Sequence, residues 1–195
     1  HSPLTGLFNY KNIALAAAVG LENNVSPDAV RNGLQECENV PGRCDRLEGP
    51  PSVIVDYAHT PDALENVLSS LGPIVDGKTI CVFGAGGDRD RGKRPKMGRI
   101  AAEEADYAIV TSDNPRSEDP RAIVDDILEG MNGRTNYHVQ VDRGQAIREG
   151  VERADDSDLV LVVGKGHETE QVIGDRIIPF EDRAVAEEVL EHQNE

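Results

Sequence analysis

Five short β-rich runs recur along the chain: "SVIVDY" (52–57), "TICVFG" (79–84), "YAIVTS" (107–112), "YHVQV" (137–141) and "LVLVVG" (159–164). Amphipathic stretches near 61–71, 97–105, 120–131 and 143–153 separate them, and a last one near 181–192 follows a short hairpin expected around "QVIGDRIIPF". Near-continuous Val/Ile/Leu strands alternating with helices specify a mainly parallel sheet covered on both faces. The expected fold class is therefore α/β, doubly wound. Upstream, "FNYKNIALAAAVGL" and "SPDAVRNGLQEC" read as two helices within 8–37, the second with Ser26 as N-cap and Pro27 at the first helical position. "ENVPGRCDRLEGPP" after them has the Pro and Gly content of a linker.

Ligands of doubly wound sheets sit beyond the carboxyl ends of the strands. Directly after four of the strand runs come "DYAHTPD", "GAGGDRDRGKRP", "SDNPRSEDP" and "GKGHE", so polar, Gly- and Pro-rich loops gather on one edge. Their charges are matched. Arg89 and Arg116 can grip carboxylates through paired N–H donors, and Glu168 can accept from an ammonium. This set suits a zwitterionic amino acid, although a surface salt-bridge network satisfies the same charges. "DNPR" alone also reads as an ordinary turn.

Two nucleotide motifs come close and fail. In "GAGGDR", Gly84 and Gly86 fit the dinucleotide fingerprint, but Arg89 occupies the place of the third glycine. In "GDRDRGKR", Gly87, Gly92 and Lys93 fit the phosphate-binding P-loop, but Arg94 replaces the Mg²⁺-binding hydroxyl. The same stretch places Arg89, Arg91, Lys93, Arg94, Lys96 and Arg99 together, which is either a local anion site or a solvated basic loop. The five His residues lack the close spacings of a zinc site, so no metal ligands are assigned. A net charge of −16 argues against nucleic acid and anionic membrane as partners. The apolar runs are too short for membrane insertion. Three cysteines without a C-x-x-C spacing suit a reducing, cytoplasmic setting.

Taken in order, "GLFNYKN", "PGRCDRLE", "VDYAHTPDAL", "FGAGGDRDRGKRPKMG", "TSDNPRSEDPRAI" and "VVGKGHE" resemble the C-terminal part of a bacterial Mur ligase over nearly the whole chain. The resemblance implies an ATP- and Mg²⁺-dependent ligase of peptidoglycan synthesis. In this family, ATP converts a D-Glu side carboxylate of a UDP-N-acetylmuramoyl-dipeptide to an acyl phosphate, and the amine of an incoming amino acid displaces phosphate. "DNPR" resembles the motif of members that add meso-diaminopimelate rather than lysine.

The resemblance also implies residue roles. Asp113, Asn114 and Arg116 would line the amino-acid site, Arg89 would bind a carboxylate there, and Gly164 and Glu168 would help fix the distal end of the amino acid. Asn12, Arg43, Asp56 and His59 would meet the nucleotide. No catalytic residue is assigned with certainty. The family's P-loop, Mg²⁺-binding carboxylates and carbamylated lysine belong to a central domain. Residues 1–40 are therefore expected to be the end of that domain plus linker, and 41–195 the C-terminal domain, within a longer polypeptide. Alternatives left open are a free-standing binding module for an acidic amino acid or nucleotide, a folylpolyglutamate-type ligase, and a nicotinamide-dependent oxidoreductase.

Overall fold

The computed structural model describes residues 4, 6–37 and 39–193. A six-stranded sheet runs in the order β1-β2-β6-β3-β4-β5. Strands β2 (Ser52–Asp56), β3 (Thr79–Phe83), β4 (Tyr107–Val110), β5 (Tyr137–Val139) and β6 (Leu159–Val163) are mutually parallel, while β1 (Asp45–Leu47) lies antiparallel on the β2 edge. The expected α/β fold with a mainly parallel, doubly wound sheet is what the chain forms.

Alternation along each strand divides the core. Ile54, Cys81, Phe83, Val110, Leu161 and Val163 face α3 (Pro61–Leu71), α4 (Lys93–Glu104) and α5 (Pro120–Leu128). Their neighbours Val53, Val55, Val82, Ile109, Val160 and Val162 face α6 (Arg143–Arg153) and α7 (Asp182–Gln193). β2, β3, β4 and β6 are buried on both faces, so these inner strands read as near-continuous apolar runs, and each buried Val, Leu or Ile contributes about 1.5–3 kcal/mol. Side chains close the N-termini of α3, α5 and α6. Thr60 accepts from Ala63 N at 3.3 Å, Asp119 from Arg121 N at 2.7 Å, and Asp142 from Gln145 N at 2.9 Å.

Two boundaries differ from the sequence reading. β1 falls inside the expected linker, because three residues between glycines and prolines carry too little pattern to read. Its Leu47 is nonetheless buried against α7 and the sheet. Helix α4 starts at Lys93 rather than near 97, since Pro95 sits in the first turn, where a missing N–H costs no intrahelical bond.

Outside the sheet, α1 (Leu7–Glu22) packs on α2 (Pro27–Gln35) and touches α3. Neither helix buries a described side chain, and Tyr10, Leu15 and Val19 are exposed. The hairpin of β7 (Glu170–Ile173) and β8 (Arg176–Pro179) forms where expected. Among the described residues, no helix is long and apolar enough to cross a membrane.

Candidate functional site

The loops after β2, β3, β4 and β6 meet at the carboxyl edge, and a buried ion pair ties two of them to the scaffold. Arg143, at the start of α6, is fully buried. Its Nε and Nη2 engage both oxygens of Asp182 at 2.7 and 2.6 Å, and Asp182 is fully buried too. The same guanidinium donates to Ser112 O (3.2 Å) and Val163 O (3.0 Å). It therefore holds the last residues before Asp113 and Gly164, where the "DNPR" and "GKGHE" loops begin. Gly164 has φ +121, and a Cβ there would press on Asp113 Oδ2. This explains the glycine.

Asn114, Arg116, His167, Glu168, Glu170 and Val172 line a cavity of about 380 Å³. Arg116 is held in the left-handed region, φ +54, because the hairpin grips its backbone. Its N–H donates to Val172 O (2.9 Å) and its carbonyl accepts from Gly174 N (2.6 Å). Arg116 Nη1 donates to Gly87 O at 2.8 Å and more weakly to Asn114 O at 3.4 Å. Asn114 Nδ2 donates to Glu168 Oε2 at 2.7 Å. Asp113 lies just beneath, its Oδ1 accepting from Asn114 N at 2.6 Å. Arg89 is exposed and donates from Nη1 to its neighbour's carbonyl, Asp88 O, at 3.1 Å. A Cβ built on Gly86 would lie 2.9 Å from Arg116 Nη1 and 3.8 Å from Arg89 Cγ, so both arginines flank that glycine. Arg89, Arg116 and Glu168 thus come from three distant segments to one edge of the sheet.

The basic stretch 89–99 is neither a uniform anion site nor a solvated loop. Arg94 is fully buried and clamps Glu118 (2.7 and 2.9 Å), Asp126 (2.8 Å) and Gly86 O (3.4 Å). Arg91 pairs with Asp126, and Arg99 with Glu103. Asp88 accepts from Ser117 Oγ at 2.7 Å, and Asp88 N donates to Glu118 Oε1 at 2.6 Å, so the loops after β3 and β4 are latched together. Lys93 Nζ donates to His59 O at 2.7 Å, and burial pulls its ammonium below the usual lysine range, partly offset by Asp113 and Asp90.

The hydrogen bonds from Arg94, then that from Asp88 N–H, draw the Glu118 carboxyl from its ordinary 4.5 to about 2. A carboxyl depressed on folding stabilises above its unfolded value, and that contribution disappears as pH falls through the folded one. Wild type is therefore expected to lose clamp stability between pH 4.5 and 2. Glu118→Gln should flatten this part of the profile in urea melts, whereas an unchanged slope would show that the clamp contributes nothing.

A second groove, of about 720 Å³, is lined by Asn9, Asn12, Val40, Arg43, Asp56 and Asn66 among others. Asn12 is exposed and bonds Asn9 Oδ1 at 3.1 Å, and Arg43 Cζ sits 4.6 Å above the Tyr57 ring. The Asp56 carboxylate is committed to backbone, accepting from Cys44 N and Ala58 N at 2.8 Å each. It braces the loop after β2. His59 does not line this groove; it packs edge-on to Tyr57 at 4.6 Å, and Tyr57 also reaches His167 at 5.4 Å. Tyr57 thus touches Arg43 of this groove and His167 of the first cavity. Sequence reading missed Lys165, Arg143 and Arg94 as site-building residues. Their visible signal was a cation inside "GKGHE", at a helix start and in the failed P-loop, but the burial that gives them their roles was not visible. Among the described residues, no group of three or more His, Cys, Asp or Glu could hold a metal ion.

Residues 42–166 match the model of the Mur ligase glutamate ligase domain. UDP-N-acetylmuramoyl-L-alanyl-D-glutamate–2,6-diaminopimelate ligase of Synechococcus sp. (strain WH7803) is 47% identical over 98% of this chain and 40% of its own length. The same ligase of Trichormus variabilis is 49% identical over 97% of this chain and 39% of its own. A solved structure of this kind of ligase superposes with a TM-score of 0.79 at 38% identity, over the whole of this chain and 40% of that one. Folylpolyglutamate synthase from Thermotoga maritima aligns with TM-score 0.62 at 26% identity, over 84% of this chain and 37% of its own. The chain therefore spans about 40% of the length of the curated relatives it matches. On this match, with the doubly wound fold and the loops gathered at its carboxyl edge, the chain belongs to the Mur ligase family.

Proposed function

We propose that this chain is the C-terminal, amino-acid-accepting part of an ATP-dependent ligase that adds meso-diaminopimelate to UDP-N-acetylmuramoyl-L-Ala-D-Glu in peptidoglycan synthesis. One observation carries the reading. Arg116 and Asn114 offer N–H donors, and Glu168 a carboxylate, to one cavity within a single domain. A carboxylate and an ammonium on one carbon match that array, and diaminopimelate presents such a pair at its distal end, where lysine has an ammonium alone. With the distal end held, the other amine remains free to attack an acyl phosphate and displace phosphate. The names of the relatives support the same substrate.

The groove carrying Asn12 and Arg43 suits the adenosine end of ATP, with Arg43 supplying positive charge and Asp56 and His59 shaping the loop beside it. The resemblance puts the Mg²⁺-binding carboxylates in the central domain, so the ion would be held there. Residues 1–40 then represent the end of the ATP-binding domain plus linker, and 41–195 the C-terminal domain. That no described side chain of α1 or α2 is buried supports this division. A cytoplasmic setting follows from ATP as co-substrate and agrees with three free cysteines.

The full-length ligase is the test. It should form an amide from ATP, the UDP-linked dipeptide and meso-diaminopimelate, with lysine or glutamate far poorer acceptors. Preference for glutamate would favour the folylpolyglutamate-type reading instead. The isolated 195-residue chain should fold yet release no phosphate from ATP above a contaminant control. Phosphoryl transfer depends on a phosphate cradle, and this sequence has no complete P-loop. Turnover by the isolated chain would contradict the division of labour.

A further inference from the structure

Lys165 is fully buried between β6 and the amino-acid cavity. Its Nζ donates to Asn114 Oδ1 at 3.2 Å, Glu168 Oε2 at 3.0 Å and Glu170 O at 2.6 Å. These three acceptors match the three donors of an ammonium. An ammonium buried this deeply is tolerated only when paired and hydrogen-bonded, and here the pairing has a directional consequence. Asn114 Oδ1 also accepts from Val172 N at 2.9 Å. With two donors converging on Oδ1, the amide cannot turn over, because its NH₂ would then face an ammonium and an N–H. Nδ2 must therefore point to Glu168, giving one hydrogen to Oε2 and keeping the other for the cavity. Glu168 Oε2, in turn, receives two donors, so the oxygen left for a ligand is Oε1.

We infer that Lys165 is a positioning residue that fixes the donor–acceptor polarity of the cavity, and with it the preference for a ligand end bearing both ammonium and carboxylate. Being fully buried, it touches no ligand itself and acts through Asn114 and Glu168. This inference rests on the amino-acid site proposed above.

The test uses the full-length ligase with two acceptors, meso-diaminopimelate and 2-aminopimelate, which lacks the distal amino group. A site built to hydrogen-bond a polar group rejects the analogue without it, so wild type should favour diaminopimelate strongly. Lys165→Met should cut that preference about tenfold or more, raise KM for diaminopimelate, and leave KM for ATP within about threefold. Glu168→Gln should do the same, and the double variant should lose no more than either single one, since both act on one contact. Equal losses for both acceptors and ATP would overturn the inference, as would additive losses in the double variant. Where Lys165→Met fails to fold in a thermal melt, Lys165→Gln, which keeps a neutral donor, carries the same comparison. A wild-type ligase that uses neither acceptor would overturn the amino-acid site itself, a result separable from the variant outcomes.

Discussion

Replacing Arg116 with Ala in the full-length ligase is expected to raise KM for meso-diaminopimelate strongly while leaving KM for ATP nearly unchanged. A charge-assisted, bidentate pair lost from a closed site leaves the ligand carboxylate desolvated without a partner. This costs about 2–5 kcal/mol, or roughly thirty- to several-thousand-fold in kcat/KM. Lysine has no second carboxylate and should lose much less, so discrimination between the two acceptors should narrow. Arg116 also braces its own loop through Asn114 O and ties it to the loop after β3 through Gly87 O. Arg116→Lys separates the two roles: it keeps a cation but cannot form the planar fork, so it should recover only part of the loss. Equal losses for diaminopimelate and ATP would mean that Arg116 maintains the fold or domain closure, and that "DNPR" is only a turn.

The second large effect is on stability. Arg143→Met leaves the Asp182 carboxylate buried and unpaired, and strips the donors from Ser112 O and Val163 O. Breaking one side of a buried pair costs about 3–5 kcal/mol, whereas replacing both partners with apolar residues of similar volume is often neutral. Urea melts should therefore show a large loss for Arg143→Met and substantial recovery in Arg143→Met/Asp182→Leu. A single-variant loss below about 1 kcal/mol would show that the loops hold their places without this strut.

These two arginines mark where sequence reading succeeds and where it stops. Arg116 was legible because its neighbours in the chain, Asp113 and Asn114, form a local pattern just after an apolar run. The strands were legible for a similar reason: burial on both faces writes itself into consecutive residues such as 159–163. Helix starts at Ser26, Thr60, Asp119 and Asp142 carry cap chemistry within three residues. Arg143 and Asp182 lie 39 positions apart, Arg94 and Glu118 24 apart, and Lys165 and Asn114 51 apart. Nothing local tells that such a cation is buried, since its partner arrives only when the sheet assembles. Asp56 shows the same limit on a smaller scale. The resemblance implies a nucleotide contact and Asp56 lines that groove, but its bracing of Cys44 N and Ala58 N is visible only in the fold.

The amino-acid site proposed above puts the distal end of meso-diaminopimelate in the cavity between the "DNPR" and "GKGHE" loops. A crystal structure of the full-length ligase with meso-diaminopimelate tests it most directly. The distal carboxylate is expected in paired contact with Arg116, its ammonium on Glu168, and the second amine pointing away toward the groove that carries Arg43. Diaminopimelate bound on another face of the domain, or bound here with its carboxylate turned away from Arg116, would contradict it.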